Sequence, residues 1–270
     1  PGGRFARAKR WPGGCPNRVN RASLVLYHRP EQSERAAFYG SWCRLEAAQR
    51  APLVDEASLF LDHSGMWLCM PGYPQPYQPS NADLLRRAST GGSRTELARA
   101  CGSTLNGLTV LDACAGYGGD GLLLAQLGAQ VCLVERDRLI WILLHERAQH
   151  IPRTEAVCDQ ASNVLRGRFP DGDTSPTKTW DVVLLDPMFP PTVKKALPNR
   201  GLQHLRQLTE APLAGRPEAV EELPELLALA KARCSGRVVV KRRLKDDVTG
   251  RVDFQIKGKS VRFDVYLGAA

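Results

Sequence analysis

Carboxylates stand where several apolar runs stop: Asp112 after TVL, Glu135 after VCLV, Asp159 after TEAVC and Asp186 after VVLL. A short apolar run ending on an acid reads as a strand that presents the acid at its carboxyl end, and open α/β sheets bind their ligands along that edge. After Asp112 the spacing is Gly116-x-Gly118-Gly119-Asp120-Gly121, and LLLAQL then restarts with a helical period. Strand, glycine turn and helix together form a seat for a nucleotide-like ligand. Gly116, Gly118 and Gly119 permit positive φ and close backbone approach, while the free N–H groups of the helix start face whatever lies above the sheet.

The same glycines satisfy the dinucleotide fingerprint G-x-G-x-x-G, and Glu135 is placed to accept ribose hydroxyls from either NAD or S-adenosylmethionine. Asp112 favours the second ligand. A dinucleotide turn puts glycine straight after the strand and keeps carboxylates from the pyrophosphate, whereas S-adenosylmethionine carries an ammonium and a sulfonium that a carboxylate attracts. Asp159 and Gln160, ending the third strand, offer acceptors for an adenine amino group. A purely structural reading also exists, an ordinary βαβ turn in which Asp112 and Asp120 are caps.

Asp186-Pro187-Met188-Phe189 lies at the end of the fourth strand, on the edge that carries Asp112 and Glu135. An exocyclic base amine is a weak nucleophile because its lone pair is delocalised into the ring. Hydrogen-bond acceptors aimed at its protons localise and orient that pair, so rate comes from positioning and fixed dipoles. The Asp186 carboxylate and the Pro187 carbonyl are the candidate acceptors, and Phe189 offers a ring for base stacking, worth about 1–3 kcal/mol. Taken without its neighbours, the stretch is a strand-ending turn in which proline stops the ladder and phenylalanine packs inward.

The elements that must position these groups follow from periodicity. Residues 80 to 270 read as an α/β, Rossmann-like, mostly parallel sheet whose RVVVK strand (237 to 241) is followed by a closing antiparallel hairpin around Lys257-Gly258-Lys259. Helices DLLRRAST and TELARACG flank Gly91-Gly92-Ser93-Arg94; Arg86, Arg87 and Arg94 there are either a solvated face or a phosphate clamp. One or two amphipathic helices are expected between Leu202 and Leu229. Residues 23 to 79 read as a small α+β subdomain: strand LVLY, a helix over 31 to 50 with Phe38, Trp42 and Leu45 on one side, a hairpin around His63-Ser64-Gly65, and a Pro-rich linker from 72 to 79. Residues 1 to 22, rich in Gly, Pro and Arg and free of acids, read as a mobile basic tail with some likeness to an organelle transit peptide.

The formal charge is +9 over 270 residues, and the first fifty hold ten Lys or Arg against three Glu. That balance suits a polyanionic partner, most simply nucleic acid. No apolar run approaches the roughly 20 residues that span a bilayer. The eight cysteines show no C-x-x-C pair or metal-ligand spacing, and the histidines are scattered, so the expectation is reduced thiols, no metal and a cytoplasmic protein.

Taken together, LDACAGYGGDG, Glu135-Arg136, LLDPMFP with the following Lys194-Lys195, VVVKR and the final K-x-x-RFDVYLG resemble the RsmJ-type methyltransferases. The similarity runs over roughly residues 55 to 270. That family has a class I methyltransferase sheet and transfers methyl from S-adenosylmethionine to N2 of a guanine in small-subunit ribosomal RNA. The resemblance implies cofactor contacts at Gly119, Asp120, Glu135, Arg136, Gln160 and Asp186, and brings Arg86, Arg87 and the Gly91–Arg94 segment near the active site. Lys194, Lys195, Lys241 and Arg242 are the further basic groups expected to meet the RNA or its assembly particle. The chain departs from the family at two places: Gly119 stands where arginine is usual, and Gln160-Ala161 replaces a pair of serines. Other readings of the same residues are a methyltransferase acting on adenine N6, an NAD-linked oxidoreductase, for which no hydride-transfer acid or base is found, and a non-catalytic RNA-binding module.

Overall fold

Runs such as VVLL can be strands only if both faces of their sheet are covered. The computed structural model describes residues 24–52, 57–102, 104–170, 178–187, 201, 203, 204, 208 and 222–268. It divides into two compact units, Pro1–Pro79 with Lys194–Glu218 and Ser80–Val193 with Ala219–Ala270.

In the first unit, strands β1 (Val25–His28), β2 (Glu46–Ala48), β3 (Ser58–Asp62) and β4 (Gly65–Cys69) form a sheet of order β2-β1-β3-β4. Helix α1 (Ser33–Cys43) joins β1 to β2. The helix expected to reach residue 50 thus stops at Cys43, and a strand follows. Arg44 turns left-handed at φ 56, and the Leu45 N–H returns to the Gly40 carbonyl at 2.9 Å. A Cβ on Gly40 would stand 3.1 Å from the Leu45 carbonyl oxygen, so the glycine lets the chain double back. The buried side of α1 is Ala36, Tyr39, Gly40 and Cys43, whereas Phe38 and Trp42 are 51% and 44% exposed. At the β3–β4 turn, Asp62 Oδ1 accepts from the Ser64 N–H and hydroxyl at 2.9 and 2.6 Å, which fixes the hairpin where His63-Ser64-Gly65 placed it.

The second unit opens with α2 (Ala82–Thr90), a short 3-10 turn (Gly92–Arg94) and α3 (Glu96–Cys101). The chain then alternates β5 (Thr109–Asp112), α4 (Gly121–Gln126), β6 (Gln130–Val134), α5 (Arg138–Ala148), β7 (Thr154–Val157), α6 (Ala161–Leu165) and β8 (Trp180–Leu185). The remaining described elements are α7 (Leu223–Arg233), β9 (Cys234–Arg243), β10 (Phe254–Lys257) and β11 (Val261–Leu267). The seven-stranded sheet has the order β10-β11-β9-β8-β5-β6-β7, parallel from β9 to β7, with β11 antiparallel between β9 and β10. The parallel sheet with a closing hairpin is the fold expected of the sequence.

Alternate residues of each strand feed opposite faces. Val110, Val131, Leu133, Val182, Leu184 and Val239 pack with α3, α4 and part of α5, while Leu111, Cys132, Val134, Val183, Leu185, Val238 and Val240 pack with α6 and α7. Val182 to Leu185 are therefore 1% exposed or less, the two-sided burial that the VVLL run implied.

Next to β9, a buried ion pair stiffens β11. Arg262 binds Asp264 through Nε and Nη2 at 2.8 and 3.1 Å and donates from Nη1 to the Arg243 and Leu244 carbonyls. Both side chains are 5% exposed or less. Arg262→Leu leaves the buried Asp264 carboxylate without its cation, keeping the Gln255 amide at 2.7 Å, and is expected to cost roughly 3 kcal/mol, read from urea denaturation, with the double change Arg262→Leu/Asp264→Leu costing less than the single one.

Candidate active site

The glycine turn between β5 and α4 is held from below by Asp112, which is 2% exposed. Its Oδ2 accepts from the Gly121 N–H at 3.1 Å, whereas Oδ1 is buried with no hydrogen-bond partner among the described residues. A Cβ on Gly121 would stand 2.4 Å from Leu133 Cδ2 and 2.6 Å from Asp112 Oδ2, so only glycine lets the helix start sit on the sheet. Gly116 and Gly118 take the positive φ values of 54 and 75° that the turn needs. Gly119, where the resemblance implies arginine, has no described residue within 4 Å of an added Cβ.

Arg147 pins the outside of this turn, and sequence reasoning missed it. From α5 it donates to the Tyr117 carbonyl at 2.6 Å, the Ser80 carbonyl at 2.7 Å and Asn81 Oδ1 at 2.7 Å. The available signal was spacing: Arg147 falls three residues after Leu144 on a buried helix side, where a solvated cation would not belong.

Glu135 follows β6 directly. Its Oε2 accepts from the Gly116 N–H at 3.0 Å and its Oε1 from the Asp137 N–H at 2.8 Å, which ties the second strand end to the glycine turn. Burial nonetheless raises its pKa to about 7. Burial, with Asp120 and Asp186 nearby, raises that of Asp112 to about 8. Asp159 Oδ1 accepts from the Gln160 N–H at 2.7 Å and from Asn163 Nδ2 at 2.8 Å, so it organises the start of α6; Gln160 is half-buried beside it. Arg136 is exposed.

A chain of alternating charge crosses the same edge. Asp186, just past β8, accepts through Oδ2 from Lys241 Nζ at 2.7 Å, and Lys241 also reaches Asp120 Oδ2 at 2.6 Å. Asp120 Oδ1 in turn accepts from Arg87 Nη2 at 3.1 Å, and Arg87 Nη1 donates to the Gly119 carbonyl at 3.1 Å. Burial works against ionising Asp120, but Lys241 and Arg87 hold its pKa below the ordinary range. Asp186 is raised by burial and by Asp120, with Lys241 opposing. Burial alone would lower Lys241; the two carboxylates raise it above its ordinary value.

Asp112, Gly116, Gly118, Gly119, Asp120, Glu135, Asp186, Lys241 and Arg87 thus form one connected site. The other basic candidates stand apart from its carboxylates. Arg86 is exposed and paired with Asp83 at 2.6 Å, Arg94 is exposed, and Arg242 donates to the Asp247 carbonyl at 2.6 Å. Phe189, Lys194 and Lys195 lie outside the described residues, and Pro187 immediately follows Asp186. Among the described residues no group of three or more His, Cys, Asp or Glu could hold a metal ion.

Among the described residues, Asp112, Asp120 and Asp186 meet here against Lys241 and Arg87, which leaves more carboxylates than cations and one buried oxygen without a hydrogen bond. Such a site fits a cationic ligand. The model of the SAM-dependent methyltransferase family matches residues 79–268. The chain is 33% identical to ribosomal RNA small subunit methyltransferase J of Alkalilimnicola ehrlichii, over 94% of this chain and 98% of that one. It belongs to that methyltransferase family.

The counterpart in Pseudomonas aeruginosa is 39% identical over 68% of this chain and 70% of its own. A SAM-dependent methyltransferase structure from Neisseria gonorrhoeae superposes with a TM-score of 0.64 at 25% identity, covering 90% of this chain and 95% of that one. Membership of the methyltransferase J family makes S-adenosylmethionine the cofactor and sets the dinucleotide reading of the glycine turn aside. We propose that Asp112 faces its ammonium, Glu135 its ribose, and Asp159 and Gln160 its adenine, with the backbone of the Gly116–Gly119 turn alongside.

Two consequences can be measured. Gly121→Ala should destabilise the protein by about 1–3 kcal/mol through overpacking and weaken cofactor binding, while Gly119→Ala should change stability by less than about 0.5 kcal/mol, both read from denaturation and calorimetry. Asp112 and Glu135 bind protons more readily folded than unfolded, since their pKa values of about 8 and about 7 lie above the ordinary 3.8 and 4.5. The stability they contribute is fully present below the ordinary values and is lost as pH rises through the folded ones. Urea denaturation of the cofactor-free protein should therefore show stability falling from about pH 5 to about pH 8, with a shallower fall in Glu135→Gln.

Proposed function

We propose that this methyltransferase modifies the exocyclic N2 amine of a guanine in small-subunit ribosomal RNA. One observation carries the reading: Asp186-Pro187 ends a central strand beside the cofactor turn, and Asp186 receives its single hydrogen bond among the described residues at Oδ2, which leaves Oδ1 for an amine proton. The small-subunit relatives support RNA as the class of substrate.

S-adenosylmethionine, when bound, supplies a methyl group on a sulfonium and leaves as a neutral thioether. The chain's own work is to prepare the acceptor. The Asp186 carboxylate and the Pro187 carbonyl accept the two amine protons, which turns the lone pair out of the ring and towards the methyl carbon. As the N–C bond forms and the carbon–sulfur pair departs with sulfur, the amine carries one proton too many; Asp186 Oδ1 is placed to take it and pass it to water. No covalent enzyme intermediate is needed, and Cys114, half-buried in the cofactor turn, has no part in the chemistry. The guanine must leave its helix or occur unstacked to enter, with Phe189 as its stacking partner, and Arg86, Arg94, Lys194, Lys195 and Arg242 provide cationic contacts for the flanking phosphates. The reaction belongs in the cytoplasm, on free RNA or an assembly particle.

Transfer of tritiated methyl to small-subunit RNA, naked and in particles, followed by nucleoside analysis, should yield N2-methylguanosine. N6-methyladenosine in its place would assign the same acceptors to the other base. At saturating cofactor, Asp186→Ala should lose nearly all turnover and Cys114→Ser should keep it. A folded but inactive Cys114→Ser enzyme would mean that the chemistry runs through the thiol.

A further inference from the structure

Lys241 was read from sequence as a contact for substrate, but its geometry points elsewhere. Leu185 pairs with Val240, so Asp186 and Lys241 are the next residues along two adjacent parallel strands. The ammonium stands 2.7 Å from Asp186 and 2.6 Å from Asp120, and the side chain is only 23% exposed. Two of its three ammonium protons are taken by carboxylates, whose combined negative charge opposes the approach of a phosphate. A lysine suits the position because a compact ammonium can donate to two carboxylates from different elements, whereas a planar guanidinium prefers one bidentate partner.

We propose that Lys241 is a positioning residue for methyl transfer: it holds Asp186 by Oδ2, leaves Oδ1 to the acceptor amine, and ties the catalytic strand end to the cofactor turn through Asp120. The inference rests on the amine-methylation reading above. The charged groups around Asp186 are Asp120 from the start of α4, Asp112 from β5, Lys241 from β9 and, beyond Asp120, Arg87 from α2. Without Lys241, Asp186 would remain beside Asp112 and Asp120 with no cation in contact among the described residues. It would then take up a proton, and a protonated Asp186 accepts an amine hydrogen bond poorly.

The test compares Lys241→Met and Lys241→Arg with the wild type, using methyl transfer to small-subunit RNA at saturating cofactor and RNA across pH. In Lys241→Met the acid limb of kcat should move up by about 1–3 pH units, the range expected when a close opposite charge is removed from a carboxylate, so that activity recovers as pH rises. Lys241→Arg should keep the wild-type limb with a lower plateau. Independently of any RNA, calorimetry in buffers of different ionisation enthalpy should find more protons released on S-adenosylmethionine binding by Lys241→Met than by the wild type at mildly acidic pH. An inactive wild type with that calorimetric difference intact would discard the proposed substrate and keep the role of Lys241. The proposal is overturned if Lys241→Met retains the wild-type pH profile and proton count while its KM for RNA rises, the behaviour of a phosphate contact. Should Lys241→Met not fold, Lys241→Gln takes its place in the same comparison: an acid limb moved to higher pH supports the role and an unmoved limb overturns it.

Discussion

Carboxylates crowded at one edge of a sheet are the constraint on which this molecule turns. Asp112, Asp120 and Asp186 come from β5, the start of α4 and the end of β8, and all three lie where burial disfavours a charge. Isolated, each would neutralise by taking up a proton. Lys241 and Arg87 prevent this for Asp120, and Lys241 opposes it for Asp186; Asp112 has neither within hydrogen-bond reach. The site is graded in consequence. At one end Lys241 and Arg87 hold Asp120 ionised, and at the other burial raises the Asp112 pKa to about 8.

That gradation suits a cofactor with two cationic centres that must also depart. Product release follows loss of the sulfonium charge, so a site relying on carboxylates alone would hold substrate and product very differently. The hydrogen bonds that tie Glu135 to the Gly116 and Asp137 N–H groups do not depend on that charge. Rigidity is supplied within the turn, by Gly121 packed against Leu133 and by Arg147 clamped to the Tyr117 carbonyl.

The strands and the acids at their ends were legible because each apolar run breaks at an acid on the carboxyl edge of the sheet. Asp112, Glu135 and Asp186 could be found that way, and the glycine spacing located the turn. The partners of those acids could not. Lys241 and Asp120 are 121 positions apart, and nothing local to KRR distinguishes a lysine bridging two carboxylates from one meeting a phosphate. Arg147 was hidden for the related reason that a cation in the last turn of a helix ordinarily faces water. The early end of α1 was missed because Arg44, not a glycine, takes the left-handed turn, and the permissive glycine lies four residues earlier at Gly40.

The position of β11 has a consequence for how the protein is made. It is the last described strand in the chain, yet it lies inside the sheet, paired along seven residues of β9 and separating that strand from β10. During synthesis β9 emerges with VVV and one bare edge before the strand that will cover it exists. An unpaired, apolar edge of that kind invites pairing with other chains. The nascent protein thus passes through an interval in which its sheet is sticky on one side, and the emergence of β11 from the ribosome ends that exposure.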